Sequence, residues 1–437
     1  MKIHNVRLGF AANSSSTHSL IFLGGVKDYD AWGRFGWQHF TAASSDAKMR
    51  YLAITLFDTL RGTLDDSNAC IIVKELTGIG VHDDMYVDHQ SEWVIPQARR
   101  GGVNVEFFED FKAYLLQENL RILGGSNDNP THPLGGGFTL AVPTDWGSIP
   151  FWARKDGNVW VLFNAYTGAK VRISFTDEEY TKSTLPELVD LKITNYCSNG
   201  CKWCYQGSNT NGVHAETWNI RRLLSYFVDM GVFEVAIGGG DALEHPDFWK
   251  LLSENEELVL NFTTHRLDWL RNPHKVRLVD KNVGGFAYSA TSPDDIQEFK
   301  ALLTTSGLHK ASIQLIVGTQ DQYRLRQCLE TAKECDLPVT LLGYKDSDFT
   351  PEKVDWISVV AKLKGFEELP RLSVDTLLTD ELDRLGINEL LYHKEEGKFS
   401  MYVDAVKMAC GASSYCNNMI PLGKDLGQSM IEAYGKF

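Results

Sequence analysis

The sequence lacks any long apolar stretch and has few cysteines for its length. No run of 18 or more apolar residues occurs in the 437-residue chain, which excludes a membrane-spanning helix. The first residues, MKIHNVRLGFAANSSSTHS, have neither the apolar stretch nor the cleavage site of a signal peptide. The eight cysteines are too few for a disulfide scaffold. We therefore expect a cytoplasmic protein that has no membrane partner.

Basic residues are also in the minority. The chain has 43 Lys and Arg against 57 Asp and Glu, which gives a formal net charge of −14. A protein that binds nucleic acid through the backbone phosphates needs a positive surface, so this charge argues against a nucleic-acid partner. Apolar residues make up 43% and charged residues 23%, as in ordinary globular proteins, which excludes collagen-like, coiled-coil and wholly disordered chains. At about 150 residues per domain, the length predicts two or three domains.

Residues 1–180 show no regular alternation of strands and helices, and we predict that they form a separate α+β module. Within it, Glu106 to Leu123 is predicted to be an amphipathic helix, because apolar residues recur at every third or fourth position. Val159 to Phe175 is predicted to be a β-hairpin that turns at Thr167-Gly168. A separate module of this size favours a role in substrate recognition.

From Leu188 onward, short apolar runs alternate with helix-length amphipathic segments, which is typical of βαβ units in a parallel sheet. We predict an α/β fold with a partial (β/α)6 barrel of TIM type over residues 181–345, followed by a C-terminal extension, 346–437, that closes the barrel. In such barrels the chemistry collects at the C-terminal ends of the strands. The predicted strands are Val189 to Thr194, Phe233 to Ile237, Leu258 to Thr263, Gly284 to Ser289, Ala311 to Val317 and Val339 to Leu342, and the predicted helices include Glu216 to Asp229, Pro293 to Thr304 and Gln322 to Glu334.

Three cysteines stand directly after the first predicted strand. Cys197, Cys201 and Cys204 form a C-x3-C-x2-C array in the segment NYCSNGCKWCY. A closed zinc site needs four ligands, and the fourth is not obvious here, although a nearby histidine such as His214 is an alternative. Three thiolates instead suit a [4Fe–4S] cluster that keeps one iron free to bind a small molecule. The spacing therefore favours an iron–sulfur reaction site over a structural zinc site.

This loop resembles that of the radical S-adenosylmethionine (SAM) enzymes, C-x3-C-x-aromatic-C, with Trp203 as the aromatic residue. The resemblance implies that the three cysteines hold a [4Fe–4S] cluster and that SAM binds the fourth iron through its amino and carboxylate groups. One electron then cleaves the sulfonium to a 5′-deoxyadenosyl radical, which abstracts hydrogen from the substrate. The resemblance also implies that Trp203 and Tyr205 lie near the adenine, and that an external flavodoxin- or ferredoxin-like protein donates the electron.

Further matches follow in the order of the family. Gly238, Gly239, Gly240 and Asp241, at the end of the second predicted strand, resemble the GGEP segment that receives the SAM amino group, with Asp in place of Glu. The resemblance covers roughly residues 188–345 and gives the barrel the radical SAM type. It further implies SAM contacts from residues at the later strand ends: Thr263, Thr264, Ser289, Gln314 and Ile316.

Two cysteines near the C-terminus, Cys410 and Cys416, leave three alternatives open. They are ordinary buried thiols, or hydrogen-atom donors in catalysis, or ligands of a second cluster completed by Cys328 and Cys335. A second cluster is disfavoured, because Cys328 and Cys335 lie on a helix face that looks like core.

The sequence supports two classes of function. The first is a radical SAM enzyme that modifies an unactivated C–H position of a substrate, for which the separate N-terminal module favours a peptide or protein over a small molecule or nucleotide derivative. The second is a non-catalytic protein that keeps a cluster or zinc for stability, which the replacement of the usual Glu and Pro by Asp241 and Ala242 leaves open.

Overall fold

The computed structural model describes the following residues: 2–7, 18–24, 34–35, 40–61, 63–82, 85–87, 95–99, 102–118, 120–124, 139–142, 151–176, 179–255, 257–345, 372–375, 378 and 396–437. The chain forms two compact units. The first consists of Met1–Ile3, Ser15–Tyr166 and Lys170–Glu178, and the second of His4–Ser14, Thr167–Ala169 and Glu179–Phe437. Among the described helices, none combines the length and apolarity that crossing a membrane requires.

The N-terminal part of the chain mixes small sheets with three helices. An antiparallel sheet has the strand order β4-β6-β2-β7, and a hairpin pairs β9 with β10. The elements are β1 (Lys2–Arg7), β2 (His18–Gly24), β3 (Arg34–Phe35), β4 (Phe40–Ala42), α1 (Ser45–Arg61), α2 (Asp66–Thr77), β5 (Tyr86–Val87), α3 (Val105–Leu115), β6 (Leu120–Gly124), β7 (Thr139–Val142), β8 (Phe151–Asp156), β9 (Val159–Asn164) and β10 (Lys170–Ser174).

Of the two elements predicted for this part from the sequence, the structure confirms the hairpin and only the first half of the helix. The hairpin is confirmed, since β9 and β10 pair antiparallel from Lys170↔Phe163 to Ser174↔Val159. The helix predicted to reach Leu123 is wrong in its second half: α3 begins after the cap residue Asn104 and ends at Leu115. The residues that follow form β6, which pairs with β2. Tertiary strand pairing therefore outweighs the helical spacing of the apolar side chains there.

The second unit is built around one large sheet. Its elements are β11 (Leu188–Lys192), α4 (Thr217–Asp229), β12 (Glu234–Gly238), α5 (Phe248–Glu254), β13 (Val259–Thr264), α6 (Pro273–Asn282), β14 (Val283–Ser289), α7 (Pro293–Ser306), β15 (Ala311–Ile316), α8 (Gln322–Glu334), β16 (Val339–Leu342), β17 (Leu372–Val374), β18 (Ser400–Asp404), β19 (Ala409–Gly411), β20 (Ile420–Pro421) and α9 (Leu426–Tyr434). Two short 3₁₀ helices, Ala242–Glu244 and Asp268–Arg271, follow β12 and β13.

The strand order confirms the predicted α/β fold with a parallel sheet. The ten strands are arranged β17-β16-β15-β14-β13-β12-β11-β18-β19-β20. Every pairing from β17 to β18 is parallel, and only β19 and β20 run antiparallel to their neighbours. The six strands predicted between residues 189 and 342 are β11 to β16, and the three predicted helices are α4, α7 and α8.

The C-terminal segment lengthens this sheet. β18 pairs with β11 in parallel over five residues, from Leu188↔Ser400 to Lys192↔Asp404. The edge of β11 that a closing barrel strand would use is therefore already occupied. In the described part of the chain the sheet is open, with β17 at one end and β20 at the other. Among these described strands, the C-terminal extension therefore adds strands beside β11 and does not close the barrel, contrary to the expectation from the sequence.

The two faces of the sheet differ in character, because successive side chains of a strand point to opposite faces. Val189 and Leu191 of β11 belong to a large apolar core that also contains residues of α4, α5, α7 and α8. The alternate positions of the same strands carry polar side chains. Asn261 of β13 donates from Nδ2 to Glu234 Oε2 of β12 at 3.1 Å. The polar face carries the residues described next.

Candidate functional site

The cysteine loop follows β11 and lies directly on the segment that follows β12. Gly240 N donates to Thr194 O at 2.8 Å, and Asp241 N donates to Tyr196 O at 3.2 Å. Within the loop, Cys204 N donates to Cys201 O at 3.2 Å. Backbone hydrogen bonds therefore fix where the loop begins and how it turns around the second cysteine.

Two glycines allow the backbone before the cysteine loop to approach the segment after β12 so closely. A Cβ on Gly240 would lie 2.0 Å from Tyr196 O, and a Cβ on Gly239, whose φ is 140°, would lie 2.4 Å from Thr194 O. By contrast, a Cβ on Gly238 would meet nothing within 4 Å. Gly239 and Gly240 are thus required by the protein's own backbone, and Gly238 alone of the three faces open space.

The three cysteines are free thiols in a partly enclosed place. Cys197 is buried, and Cys201 and Cys204 are half-buried. Burial raises the pKa of both Cys197 and Cys201, and the charge of Cys204 raises that of Cys201 further. Thiols of this kind stay protonated at neutral pH until a metal displaces the proton.

Two side chains contact the Cys201 sulfur. Asn199 Nδ2 donates to Cys201 Sγ at 2.9 Å, and His265 Nε2 lies 3.9 Å from the same sulfur. His265 is the residue after β13, and its backbone N donates to Asp241 Oδ2 at 3.0 Å. Burial lowers the pKa of His265, so its imidazole is neutral at neutral pH. Neither Asn199 nor His265 carries a sequence signal that predicts this contact with Cys201.

The zinc alternative finds no support in the described residues. No three or more His, Cys, Asp or Glu side chains among them are arranged to hold a single metal ion. The nearby His214 is engaged elsewhere, with Nδ1 2.8 Å from Thr194 Oγ1. Thiolates that each bind a different iron of a cluster stand farther apart than the ligands of one ion. Three free thiols in one loop are therefore a donor set that fits a cluster.

Asp241 acts as a cross-link between two strand ends. It is only 2% exposed, and its carboxylate accepts hydrogen bonds from Thr264 Oγ1, Leu243 N and His265 N at distances of 2.8 to 3.0 Å. Burial raises the pKa of Asp241, which these hydrogen bonds partly offset. Two of the predicted SAM contacts, Asp241 and Thr264, thus bond to each other.

The other predicted strand-end residues lie along one edge of the sheet. Ser289 of β14 is in register with Gln314 of β15, which is in register with Thr340 of β16. Thr263 lies two strands from Gln314, on the same face by alternation, and Ile316 ends β15. The structure therefore brings these residues to the edge at which the cysteine loop leaves β11.

The two predicted aromatic residues are placed differently. Trp203 is half-buried within the cysteine loop. The ring of Tyr205 lies under Lys345 Nζ, 4.4 Å from the ring centre, and its hydroxyl is 2.7 Å from Ser414 Oγ. Lys345 is also 4.6 Å from the ring centre of Tyr415. Tyr205 thus ties the cysteine loop to the loop after β19.

The remaining cysteines separate into buried and accessible ones. Cys410 in β19 and Cys328 in α8 are 0% exposed, and burial raises the pKa of each to about 11. Cys416 is half-buried, with Sγ 3.6 Å from Met419 Sδ. Cys335, at the end of α8, is half-buried. A catalytic or metal-binding role is therefore easier to assign to Cys416 than to Cys410 or Cys328.

The polar face also carries ionisable residues that the sequence analysis missed. Asp190 of β11 lies in register between Tyr402 of β18 and Ala236 of β12. Lys192, two residues along, has its Nζ 3.8 Å from Asp404 Oδ2. In the sequence these polar residues interrupt runs of apolar residues. The alternation of apolar and polar side chains along each strand is the signal that places them on the polar face of the sheet.

Asp190 has an unusual environment. Its side chain lies between β12 and β18 but is exposed, so solvent screens part of the effect of its surroundings on its charge. Burial raises the pKa of Asp190 to about 6, and the charges of Glu396 and Glu234 act in the same direction against that of Lys345. The negative form of Asp190 is therefore poorly compensated at neutral pH.

This environment predicts a pH-dependent cost in stability. Between pH 3.8 and about 6 the folded protein keeps a proton on Asp190 that the unfolded chain has released, so the free energy of unfolding falls as pH rises through this range. We expect Asp190→Asn to remove this fall and to be more stable than wild type at neutral pH. Urea unfolding at pH about 4 and about 7.5 measures it. The exposed Asp280→Asn is the control, and equal pH dependence of all three proteins contradicts the prediction.

The chain is similar to several known proteins. The model of the Radical SAM superfamily matches residues 191–357. No curated protein matches the chain. Among solved structures, Streptococcus suis SuiB bound to precursor peptide SuiA is 16% identical with a TM-score of 0.47, over 58% of this chain and 67% of that chain. Another structure of SuiB is 13% identical with a TM-score of 0.48, over 65% and 88%. Native anSMEcpe with bound AdoMet and Cp18Cys peptide is 13% identical with a TM-score of 0.43, over 56% and 80%.

Proposed function

We propose that this chain, which carries a radical SAM domain at residues 191–357 and is thereby an enzyme, binds a [4Fe–4S] cluster and SAM and modifies a peptide or protein substrate. The observation that carries the proposal is the set of three free thiols in the one loop that directly follows β11. Cys197, Cys201 and Cys204 are the residues that would hold the cluster.

When bound, the cluster and SAM together supply a 5′-deoxyadenosyl radical that abstracts hydrogen from the substrate. The chain's own residues position these groups. The space beside Gly238 would admit the amino-acid part of SAM, while Asp241 holds the ends of β12 and β13 together through its hydrogen bonds to Thr264 and His265. Thr263, Ser289, Gln314 and Ile316 line the edge of the sheet on which the nucleoside would lie, and Trp203 would flank it.

The test of this activity needs no knowledge of the substrate. Protein reconstituted anaerobically with iron and sulfide is mixed with SAM, with and without dithionite, and 5′-deoxyadenosine is measured by mass spectrometry. We expect the reconstituted protein to be brown with or without dithionite. We expect 5′-deoxyadenosine to form only when dithionite is present. Protein that takes up no iron and holds zinc tightly instead contradicts the proposal and favours the non-catalytic alternative.

The peptide substrate is supported by the architecture. The first compact unit, largely Ser15–Tyr166, has its own buried core, which includes Phe107, Phe108 and Phe111 of α3. A site for a small metabolite does not need a second unit of this size, whereas recognition of a longer chain does. Incubation in D2O with peptides encoded nearby should give a peptide that keeps carbon-bound deuterium after return to H2O, and turnover of a small molecule or nucleotide derivative instead would overturn this part of the proposal.

We assign the role of hydrogen-atom donor to Cys416 and not to the buried Cys410. Cys416 Sγ lies against Gly411 of β19, which is in register with Tyr402 of β18, so Cys416 is close to the strand that neighbours Asp190. Donation from the thiol to a substrate radical forms a C–H bond, breaks the S–H bond and leaves a sulfur radical. The external electron donor must then supply one electron, and water one proton, to restore the thiol.

This assignment predicts that Cys416→Ala separates SAM cleavage from product formation. We expect the variant to keep its iron and to form 5′-deoxyadenosine at the wild-type rate, because Cys416 is not a cluster ligand, while the product disappears. The reaction is run in D2O, so that the exchangeable thiol delivers deuterium to carbon, and iron content, 5′-deoxyadenosine and carbon-bound deuterium in the product are measured on the same preparation, with Cys335→Ala as the control. Loss of iron in the Cys416 variant would show that Cys416 binds a cluster.

The proposal also requires an external electron donor, for which a flavodoxin- or ferredoxin-like protein is the expected class. Replacing dithionite by reduced flavodoxin or ferredoxin in the same assay tests this requirement. We expect 5′-deoxyadenosine to form with at least one of them. If it forms with dithionite but with neither flavodoxin nor ferredoxin, this requirement is contradicted.

A further inference from the structure

The three cysteines of the loop are not equivalent in their surroundings. Cys201 alone has two nitrogen-bearing side chains beside its sulfur: Asn199 Nδ2 at 2.9 Å and His265 Nε2 at 3.9 Å. Among the side-chain contacts of the described residues, neither Cys197 nor Cys204 has such a neighbour. Asn199 comes from the loop itself, whereas His265 comes from the end of β13, so the two approach from different parts of the chain.

His265 is held in this place by a chain of contacts. Its backbone N donates to Asp241 Oδ2 at 3.0 Å, and the same carboxylate accepts from Thr264 Oγ1. Asp241 N in turn donates to Tyr196 O, one residue before the first cysteine. Asp241 therefore holds the backbone of His265 close to the start of the cysteine loop.

We propose that Asn199 and His265 are positioning residues that donate N–H hydrogen bonds to the Cys201 thiolate once the cluster is bound. The inference rests on the proposed function, because it concerns a sulfur that ligates the cluster. The geometry supports this role: the Asn199 amide nitrogen lies 2.9 Å and the His265 ring nitrogen Nε2 lies 3.9 Å from the Cys201 sulfur, and each is a donor when it carries a proton. Hydrogen bonds to ligating sulfurs stabilise the reduced, more negative cluster and so raise its reduction potential.

The contact predicts a specific pattern among variants. Asn199→Ala and His265→Leu each remove one donor, and both should lower the midpoint potential of the cluster. Each should also speed the loss of iron to a chelator about 10-fold, as is typical when a residue supporting a metal ligand is removed. His265→Gln keeps an N–H of similar reach and should restore most of both properties, which a purely space-filling role for the ring would not explain.

The experiment uses the reconstituted full-length protein. Midpoint potentials come from redox titration followed by electron paramagnetic resonance, which needs neither SAM nor substrate, and iron loss is followed by absorbance of the chelate. Asn211→Ala, exposed in the same loop, and His274→Leu, exposed at the start of α6, are the controls and should behave as wild type.

The outcomes separate this inference from the proposed function. Wild-type protein that forms no cluster overturns the proposed function, and the inference falls with it. A wild-type cluster that cleaves SAM, together with unchanged potentials and iron loss in Asn199→Ala and His265→Leu, overturns only the inference. Recovery by His265→Phe as complete as that by His265→Gln would overturn the hydrogen-bonding role of His265, because phenylalanine fills the space without an N–H.

Discussion

Replacement of Cys201 by alanine is expected to abolish both the cluster and SAM cleavage. A cluster held by two thiolates exposes two irons, and Cys201 is also the sulfur that Asn199 and His265 contact. Iron content after reconstitution should fall to background, and 5′-deoxyadenosine should fall to the level of a reaction without protein. The fold should persist, because Cys201 is half-buried in a loop, and such substitutions usually change stability by no more than about 1 kcal/mol.

The matched control for this variant is Cys335→Ala. Cys335 is also a half-buried free thiol of the second unit, at the end of α8 and remote in sequence from the loop. It should reconstitute and cleave SAM as wild type does. Full iron content in Cys201→Ala would mean that another side chain completes the ligand set, and the three-cysteine site would then be wrong.

The second large effect is expected from Gly240→Ala. The added Cβ would lie 2.0 Å from Tyr196 O, a backbone atom of the segment that leads into the cysteine loop. Neither partner is a flexible side chain, so the loop must move away from β12 and lose the bonds at Thr194 and Tyr196. We expect a loss of about 3 kcal/mol in the free energy of unfolding and little or no cluster after reconstitution. Chemical denaturation and iron analysis measure these two quantities.

Gly238→Ala provides the comparison within the same segment. Its Cβ would meet nothing within 4 Å, so the apo protein should be about as stable as wild type and should still take up the cluster. The variant should weaken SAM binding if the Gly238 backbone receives the ligand, since the methyl group then occupies the open space. Equal destabilisation by the two alanine substitutions would contradict the conclusion that the backbone leading into the cysteine loop packs directly against Gly240.

Much of the second unit is predictable from local sequence. The strands β11 to β16 are short apolar runs separated by amphipathic helical segments. This pattern of apolar residues is local, so the sequence alone predicts both the strands and the helices. Cys197, Cys201 and Cys204 are identifiable because their spacing is itself a chemical signal. The position of β18 beside β11 is not predictable in this way, because pairing of strands so distant in the chain leaves no local mark.

The parts of the site that were missed share a physical cause. Asp190 and Glu234 interrupt apolar strands and are recognisable only once the two faces of the sheet are known. Asn199 and His265 are common loop residues whose meaning comes from a contact with one sulfur. The end of α3 was misjudged because β6 obtains a partner strand that periodicity does not reveal. Each miss involves a contact made across the fold.

The pairing of β11 with β18 sets an order of events during synthesis. The strand that carries the cysteine loop obtains one of its two neighbours only from Ser400–Asp404, about 210 residues later in the chain. Contacts of such long sequence separation form late, since closing a long loop is entropically costly. The ribosome must therefore have released most of the C-terminal segment before the first strand is complete. Iron binding to the three thiols is accordingly expected to follow translation, once β18 has paired with β11.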